Sequence, residues 1–194
     1  MKLWRCCGWL LLILSLAGCQ KTAHWYGTDI TGLMPNLAFD LTGMDGKPLT
    51  QDAFAGKSLL LFFGYTSCPD VCPATLMRLA QARAALPDAM QQRVTILFVS
   101  VDPKRDTPER LAQYTRYFGK GITGATGTKA QLDAITSRYR TSYSYGKPDA
   151  SGNYVVNHGS GIYGFDSQGK VRLLIMDDKS IPHLTADMQQ LAGL

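Results

Sequence analysis

Continuous apolar runs along the chain predict buried strands separated by amphipathic helices. Residues 59–63 and 94–101 are apolar almost throughout, which is typical of strands covered on both faces of a sheet. Between them, residues 73–86 carry apolar side chains at helical spacing and are stopped by Pro87. A second helix is predicted to begin at Thr107 and Pro108, an N-cap residue followed by a proline at the first helical position.

The remaining pattern predicts two flanking β-hairpins, an inserted hairpin and two more helices. Residues 37–41 and 48–50 surround an Asp-Gly turn and predict an N-terminal hairpin. Residues 121–128 are predicted as a loop, residues 129–139 as a helix, and a last helix is predicted to begin at Ser180. Two further strand pairs are predicted, 143–145 with 154–157 and 161–165 with 171–176. This order predicts an α/β fold, a mixed sheet flanked by helices, of the thioredoxin-like kind.

The first residues predict an export signal that ends in a lipid-attachment site. A short positive segment is followed by an apolar stretch of 11 residues, which is too short for a membrane span of about 20 residues. Leu16-Ala17-Gly18-Cys19 then resembles a bacterial lipobox, in which the cysteine is acylated. The predicted organisation is a signal peptide over residues 1–18, a lipid-attached tether over 19–33 and one domain over 34–194. An ordinary signal peptide and an uncleaved anchor are the alternatives.

This processing changes the count of cysteines and the charge. Of 5 cysteines, Cys6 and Cys7 leave with the signal and Cys19 carries lipid, so only Cys68 and Cys72 stay in the domain. The net charge falls from +5 to +3 when Lys2 and Arg5 are removed, which argues against a nucleic-acid partner.

Cys68 and Cys72 are the residues around which the predicted chemistry is organised. They follow the first buried strand and precede the first helix, at the edge where open α/β sheets bind ligands. Spacing i, i+4 brings both sulfurs to one helix face, and a helix N-terminus favours thiolate, which attacks disulfides and binds soft metals. A disulfide across three intervening residues would close almost no loop and would add little stability, so the pair is interpreted as a functional site rather than a structural disulfide.

Two thiolates need a third ligand to hold Cu(I) in trigonal geometry, and imidazole is the natural partner. The chain has 3 histidines. His24 lies in the tether, and His183 opens the last helix, where a surface role is favoured. His158 lies at a strand end beside small residues, where it can serve as a ligand or as an ordinary half-buried histidine.

Two motifs together resemble the Sco/SenC family. They are Thr66-Ser67-Cys68-Pro69-Asp70-Val71-Cys72-Pro73 and the block from Ser100 to Glu109. Later in the chain, Val156-Asn157-His158 places His158 at the position of the family histidine. The resemblance extends from about residue 37 to the C-terminus. It implies a thioredoxin-like, exported and membrane-tethered protein that binds one copper ion, as Cu(I) or Cu(II), through Cys68, Cys72 and His158.

The family resemblance also implies a function and partners. The protein is expected to act as a copper metallochaperone for the dinuclear copper centre of cytochrome c oxidase subunit II. Its other expected partners are an upstream copper donor, a thiol reductant and the membrane, reached through lipid at Cys19. The expected location is a membrane-anchored lipoprotein facing the periplasm or extracytoplasmic space.

Three residues are candidates for the surroundings of the metal. Asn157 stands where the family commonly has aspartate, so it could orient the imidazole but would add no charge. Asp102 ends a buried strand at the same edge and lies either near the metal or in a turn that bonds its own backbone. Asp70 either adds negative charge beside the cation or stabilises the helix start.

The same cysteines leave a second function open. A thiol–disulfide reductase would use Cys68 and Cys72 to keep the recipient's cysteines reduced, and would not need His158. The protein is therefore interpreted mainly as a binding protein, with thiol exchange as its one candidate enzymatic activity. A peroxidase is disfavoured, because a lone activated cysteine in a peroxidase-like setting is not found in the sequence.

Overall fold

In the part of the chain that the structure describes, eight strands form one mixed sheet. The computed structural model describes residues 24–176 and 179–194, so the predicted signal peptide and Cys19 lie outside the described residues. The strands, in chain order, are β1 Thr28–Asp29, β2 Asp40–Gly43, β3 Pro48–Thr50, β4 Ser58–Gly64, β5 Val94–Ser100, β6 Ile122–Thr126, β7 Tyr143–Tyr145, β8 Val156–His158, β9 Ile162–Phe165 and β10 Val171–Ile175. The order across the main sheet is β1-β10-β9-β4-β5-β6-β2-β3, and β7 pairs with β8 as a separate hairpin.

Three parallel strands, β4, β5 and β6, form the centre of the sheet. All other pairs of neighbouring strands in this sheet are antiparallel. All seven residues of β4 are buried. Since alternate residues of a strand point to opposite faces, complete burial means that both faces of the sheet are covered.

Within the described residues, five α-helices accompany the sheet: α1 Val71–Ala84, α2 Asp88–Gln91, α3 Pro108–Tyr117, α4 Lys129–Arg138 and α5 Ile181–Gly193. Helix α1 packs against α5, and α3 packs on β6. The N-caps of α3, α4 and α5 are Thr107, Thr128 and Ser180, each of which accepts a backbone N–H of the first turn with its side chain. Among the described residues, no helix has the length and apolar character that crossing a bilayer requires.

The predicted α/β, thioredoxin-like class is confirmed, including the N-terminal hairpin of β2 and β3 and the inserted hairpin of β7 and β8. The predicted loop over residues 121–128 is wrong, because residues 122–126 form β6 in the parallel core. Small residues hid this strand: a Cβ on Gly124 would lie 3.1 Å from the Leu111 Cβ of α3, so close helix packing excludes the bulky residues that mark strands.

Part of the predicted tether lies on the domain. Thr28 and Asp29 pair with Leu174 and Leu173 of β10 and extend the main sheet by one short strand. Ile30, which follows, is 8% exposed and belongs to the hydrophobic core.

Candidate metal centre

The two cysteines occupy the turn between β4 and the first turn of α1. Cys68 lies before the helix and is partly exposed, whereas Cys72 is the second helical residue and is fully buried. The backbone N–H of Cys72 donates to the Cys68 sulfur over 3.4 Å. The Cys68 sulfur therefore accepts one of the amides that a helix N-terminus leaves free, which helps to fix its position.

His158 ends β8 and points its imidazole at the buried cysteine. Its Nε2 lies 3.3 Å from the Cys72 sulfur, and its Nδ1 lies 3.0 Å from the carbonyl oxygen of Gly159. Because a carbonyl oxygen can only accept, Nδ1 carries the hydrogen in the neutral ring and Nε2 presents its lone pair to the sulfur side. The rings of Phe62 and Tyr65 meet the imidazole edge-on, with centroids 6.2 and 6.0 Å away.

The three donor atoms form a compact set that could hold one soft metal ion. The sulfurs of Cys68 and Cys72 and a ring nitrogen of His158 all lie within 4.8 Å of one another. Metal–sulfur and metal–nitrogen bonds of about 2.0–2.3 Å place three trigonal ligands about 3.5–4 Å apart, so only small shifts of the donor atoms are needed. Two thiolates with one imidazole are a ligand set suited to copper or zinc.

Burial opposes ionisation of Cys72 in the absence of metal. It raises the pKa of the Cys72 thiol far above its usual range, and the nearby Cys68 and Asp106 raise it further, while the Tyr65 backbone amide lowers it. At Cys72 this burial outweighs the stabilisation of thiolate that a helix N-terminus would give. A metal ion must therefore displace the thiol proton, and binding should release it to solvent.

Gly64, the last residue of β4, makes room for the Cys72 sulfur. A Cβ at this position would lie 2.8 Å from the Cys72 sulfur and 2.6 Å from Cε2 of Phe98. Neither neighbour can retreat easily, since both are fully buried. This residue was not predicted from the sequence, although a glycine that ends an apolar strand just before a cysteine motif is a usable signal.

Asp102 lies near the site but reaches it only through other side chains. It is fully buried, accepts from the Tyr154 hydroxyl over 2.8 Å and forms a short ion pair with Arg105. The Arg105 guanidinium lies 3.7 Å from the centroid of the Tyr154 ring and 5.5 Å from that of Tyr65, which borders His158. The Asp102 carbonyl also accepts the amides of Arg105 and Asp106, so the residue forms a turn as well.

Asp106 joins the cysteine turn to the end of β5, a role that the sequence did not indicate. Its buried carboxylate accepts the Thr66 amide over 2.8 Å and the hydroxyls of Thr66 and Ser100 over 2.5 Å each. Arg110 of α3 donates to the same Thr66 hydroxyl over 2.6 Å. The segment that carries Cys68 is thereby fixed to the neighbouring strand.

The other candidate residues are exposed at the surface. Asn157 is exposed and its amide donates to the Ser144 hydroxyl over 3.4 Å, across the β7–β8 hairpin. Asp70 is exposed at the N-cap of α1, where no side-chain capping bond is found among the described residues. His24 and His183 are exposed, and His183 stacks on Tyr26 with ring centroids 4.1 Å apart.

Comparison with known proteins gives one family. The SCO1/SenC family model matches residues 33–193. The human mitochondrial SCO1 homolog is 39% identical over 126 residues, which cover 62% of this chain and 40% of that protein. The mitochondrial SCO2 protein of Saccharomyces cerevisiae is 37% identical over 134 residues, which cover 68% of this chain and 44% of that protein. The chain thus spans about two fifths of the length of these curated relatives.

Solved structures are similar over nearly their full length. Copper-bound ScoI of Bradyrhizobium japonicum is similar with a TM-score of 0.71 and 32% identity, over 79% of this chain and 97% of that one. A SCO1/SenC family lipoprotein of Bacillus anthracis is similar with a TM-score of 0.67 and 25% identity, over 81% of this chain and 95% of that one.

Proposed function

This chain belongs to the SCO1/SenC family, and from that premise we propose that it is a copper metallochaperone that holds one copper ion through Cys68, Cys72 and His158. One observation carries the proposal: the two sulfurs and the imidazole nitrogen, from elements 86 residues apart in the chain, converge within 4.8 Å. The similar ScoI of Bradyrhizobium japonicum was solved with copper bound, which supports copper as the ion. Cu(I) would use both thiolates, and Cu(II) would depend more on the imidazole.

The unequal burial of the ligands suggests how the ion would leave. Cys68 and His158 are half-buried, so incoming ligands of a recipient could replace them first. Cys72 would be the last ligand, and burial favours return of a proton to its sulfur when the ion departs. We propose that the recipient is the dinuclear copper centre of cytochrome c oxidase subunit II, and that an upstream donor supplies the copper.

The same burial difference favours one second function, a thiol–disulfide reductase. The partly exposed Cys68 thiolate would attack a substrate disulfide, forming a mixed disulfide and releasing one substrate thiol. Cys72 would then attack the Cys68 sulfur and release the second thiol. The substrate gains two electrons, the protein is left with a Cys68–Cys72 disulfide, and a thiol reductant must restore the dithiol.

We further propose that the protein is anchored outside the cytoplasm. The similar Bacillus anthracis protein is a lipoprotein. A signal peptide over residues 1–18, lipid at Cys19 and a tether that follows it would hold the domain at a membrane, facing the periplasm or extracytoplasmic space. Mass spectrometry of the membrane-bound protein tests this, since an acylated Cys19 should be its first residue.

The test of copper binding compares His158→Ala with His183→Ala. Losing a direct ligand should weaken Cu(II) binding by more than the roughly 10–100-fold typical of losing a residue behind a ligand. Cu(I) binding should suffer less, because two thiolates remain. His183→Ala removes an exposed imidazole from another part of the domain and should bind like the parent protein. Competition titrations with a chromogenic chelator measure both affinities, and near-parental Cu(II) binding by His158→Ala would reject His158 as a ligand.

The test of the reductase uses Cys72→Ser against Cys68→Ser. Without Cys72 the mixed disulfide cannot be resolved, so Cys72→Ser should accumulate a covalent adduct with a disulfide-bonded peptide of the recipient's copper loop. Cys68→Ser, which lacks the exposed thiol, should not. Intact-mass measurement detects the adduct, and equal adduct formation by both variants would contradict the assigned order of attack.

A further inference from the structure

The described chain begins with a segment that is clamped to the last helix. The backbone amides of Tyr26 and Gly27 donate to the two carboxylate oxygens of Asp187 over 2.8 and 2.9 Å. Asp187 lies on α5 and is 1% exposed. The Tyr26 ring stacks on His183 one helical turn earlier, at an interplanar angle of 15°. Residues 26 and 27 are therefore fixed to the domain and do not belong to a free tether.

Backbone pairing continues this attachment into the sheet. Thr28 pairs with Leu174 of β10, and the Ile30 amide donates to the Arg172 carbonyl over 2.9 Å. Gly27 approaches β10 so closely that a Cβ there would lie 3.0 Å from the Leu174 carbonyl oxygen. The place where the tether joins the domain is thus set by three kinds of contact: a carboxylate clamp, a ring stack and strand pairing.

The register of the sheet shows at which edge this place lies. Phe62 of β4 pairs with Ile162 of β9, and Ile162 pairs with Ile175 of β10. Continuing the antiparallel register of Thr28 with Leu174 brings Gly27 opposite Ile175. Gly27 and Phe62 therefore lie in one row across the sheet, three strand spacings or about 14 Å apart.

This row borders the metal centre. The Phe62 ring contacts His158, and Cys68 and Cys72 follow the end of the same strand. The chain consequently joins the sheet at the edge that carries the three donor atoms. The opposite edge, where β4 begins, is about 20 Å away, because the ends of a seven-residue strand are six residue rises apart.

We infer that the edge of the sheet that carries Cys68, Cys72 and His158 faces the lipid surface in which Cys19 is anchored. The inference rests on the proposed lipid attachment. Tyr26 lies seven positions after Cys19, which limits the distance between them to about 25 Å even in a fully extended chain. A tether this short that joins one edge keeps that edge nearer to the lipid than the opposite edge. The metal centre would then be presented to a recipient held in the same membrane.

Energy transfer to the membrane tests this orientation in the full-length, lipidated protein. A Cys68→Ser, Cys72→Ser background leaves no other thiol after processing, so a single donor dye can be attached at Asp70→Cys or at Gln168→Cys. Both positions are exposed; Asp70 lies at the metal edge and Gln168 in the β9–β10 turn at the opposite edge. The probe is a phosphatidylcholine vesicle that carries acceptor-labelled lipid at its surface.

We expect clearly stronger transfer from position 70 than from position 168. Equal transfer, or stronger transfer from position 168, would overturn the inferred orientation while leaving the lipid anchor intact. Failure of the protein to float with vesicles would instead reject the proposed lipid anchor, and the orientation with it.

A lengthened tether provides the matched control. Inserting 30 Gly/Ser residues between Lys21 and Thr22 adds a flexible chain with a root-mean-square length of about 30 Å and leaves the clamped residues unchanged. The difference in transfer between positions 70 and 168 should then shrink. A difference that persists in full would show that the short tether does not set the orientation.

Discussion

Each donor atom of the candidate metal centre is held by a group that would not bind the ion itself. The Cys72 sulfur lies in the space left by Gly64, the His158 ring is oriented by the Gly159 carbonyl, and the Cys68 sulfur accepts the Cys72 amide. Such supporting contacts commonly change metal affinity by 10–100-fold when they are lost, although they make no bond to the metal.

Gly64→Ala tests the supporting role of the strand end. The added methyl would lie 2.8 Å from the Cys72 sulfur, so the sulfur must leave its present position, and Cu(I) affinity should fall by roughly 10-fold or more. Gly161→Ala is the control: its Cβ would meet only the Leu174 side chain, which belongs to another part of the sheet. Chelator competition gives the affinities, and equal affinities for the two variants would contradict the packing argument.

At this scale the sequence indicates the candidate donor residues better than their surroundings. The spacing and position of Cys68 and Cys72 predict them as ligands, and the family motif that follows predicts His158. The contacts of Asp102 and Asn157 were beyond prediction, because they depend on how the β7–β8 hairpin folds over the end of the sheet. The hairpin turns Asn157 toward Ser144 and brings Tyr154 to Asp102.

Among the elements, the turn between β4 and α1 depends most on a distant residue. Its conformation is set by hydrogen bonds from Thr66 to Asp106, 40 residues later in the chain. Caps and prolines allow the ends of α3 and α5 to be predicted locally, whereas this cross-connection appears only when β4 and β5 pair. Strand β6 was missed for a related reason, since Gly124 and its small neighbours are selected by packing against α3.

Asp106→Asn should destabilise the domain and loosen the cysteine turn. The buried carboxylate accepts three hydrogen bonds within 2.8 Å, and bonds to a charged group contribute about 1.5–3 kcal/mol each. An amide keeps the shape but turns an NH₂ group toward hydrogen-bond donors, so the free energy of unfolding should fall by at least about 2 kcal/mol. Asp133→Asn, which breaks an exposed pair with Lys129, should cause a much smaller change. Urea denaturation measures the free energy of unfolding of both variants, and an equal decrease in the two would contradict the assigned role of Asp106.

For the whole molecule, local patterns predict the fold class but not where the domain begins. Residues 24–33 lack a strand-like pattern, so the sequence predicts them as part of the tether, and the family match also begins at residue 33. Their position is decided by the exposed edge of β10 and by the buried Asp187, two features that exist only after the sheet and α5 have assembled. An unpaired edge strand and an uncompensated carboxylate are both costly, which gives this segment a reason to dock.

The final prediction compares a domain that starts at His24 with one that starts at Leu33. The shorter domain loses β1 and Ile30 and leaves the Asp187 carboxylate buried without the amides of Tyr26 and Gly27. Its free energy of unfolding at neutral pH should be lower by at least about 3 kcal/mol, since two hydrogen bonds to a charged group and one core side chain are removed. Equal stability in urea denaturation at pH 7 would contradict the stabilising role assigned to residues 24–32.

A pH series identifies Asp187 as the cause of the loss. Burial raises the pKa of Asp187 above its ordinary value of 3.8, while the two amides, His183 and Lys179 lower it. Without the amides the pKa of Asp187 in the folded domain should rise further. The folded state then binds a proton that the unfolded state still lacks, so the shorter domain regains stability as the pH falls through the folded pKa toward the unfolded one. The difference between the two domains should therefore narrow in acid; a constant difference across the series would assign the loss to β1 and Ile30 alone.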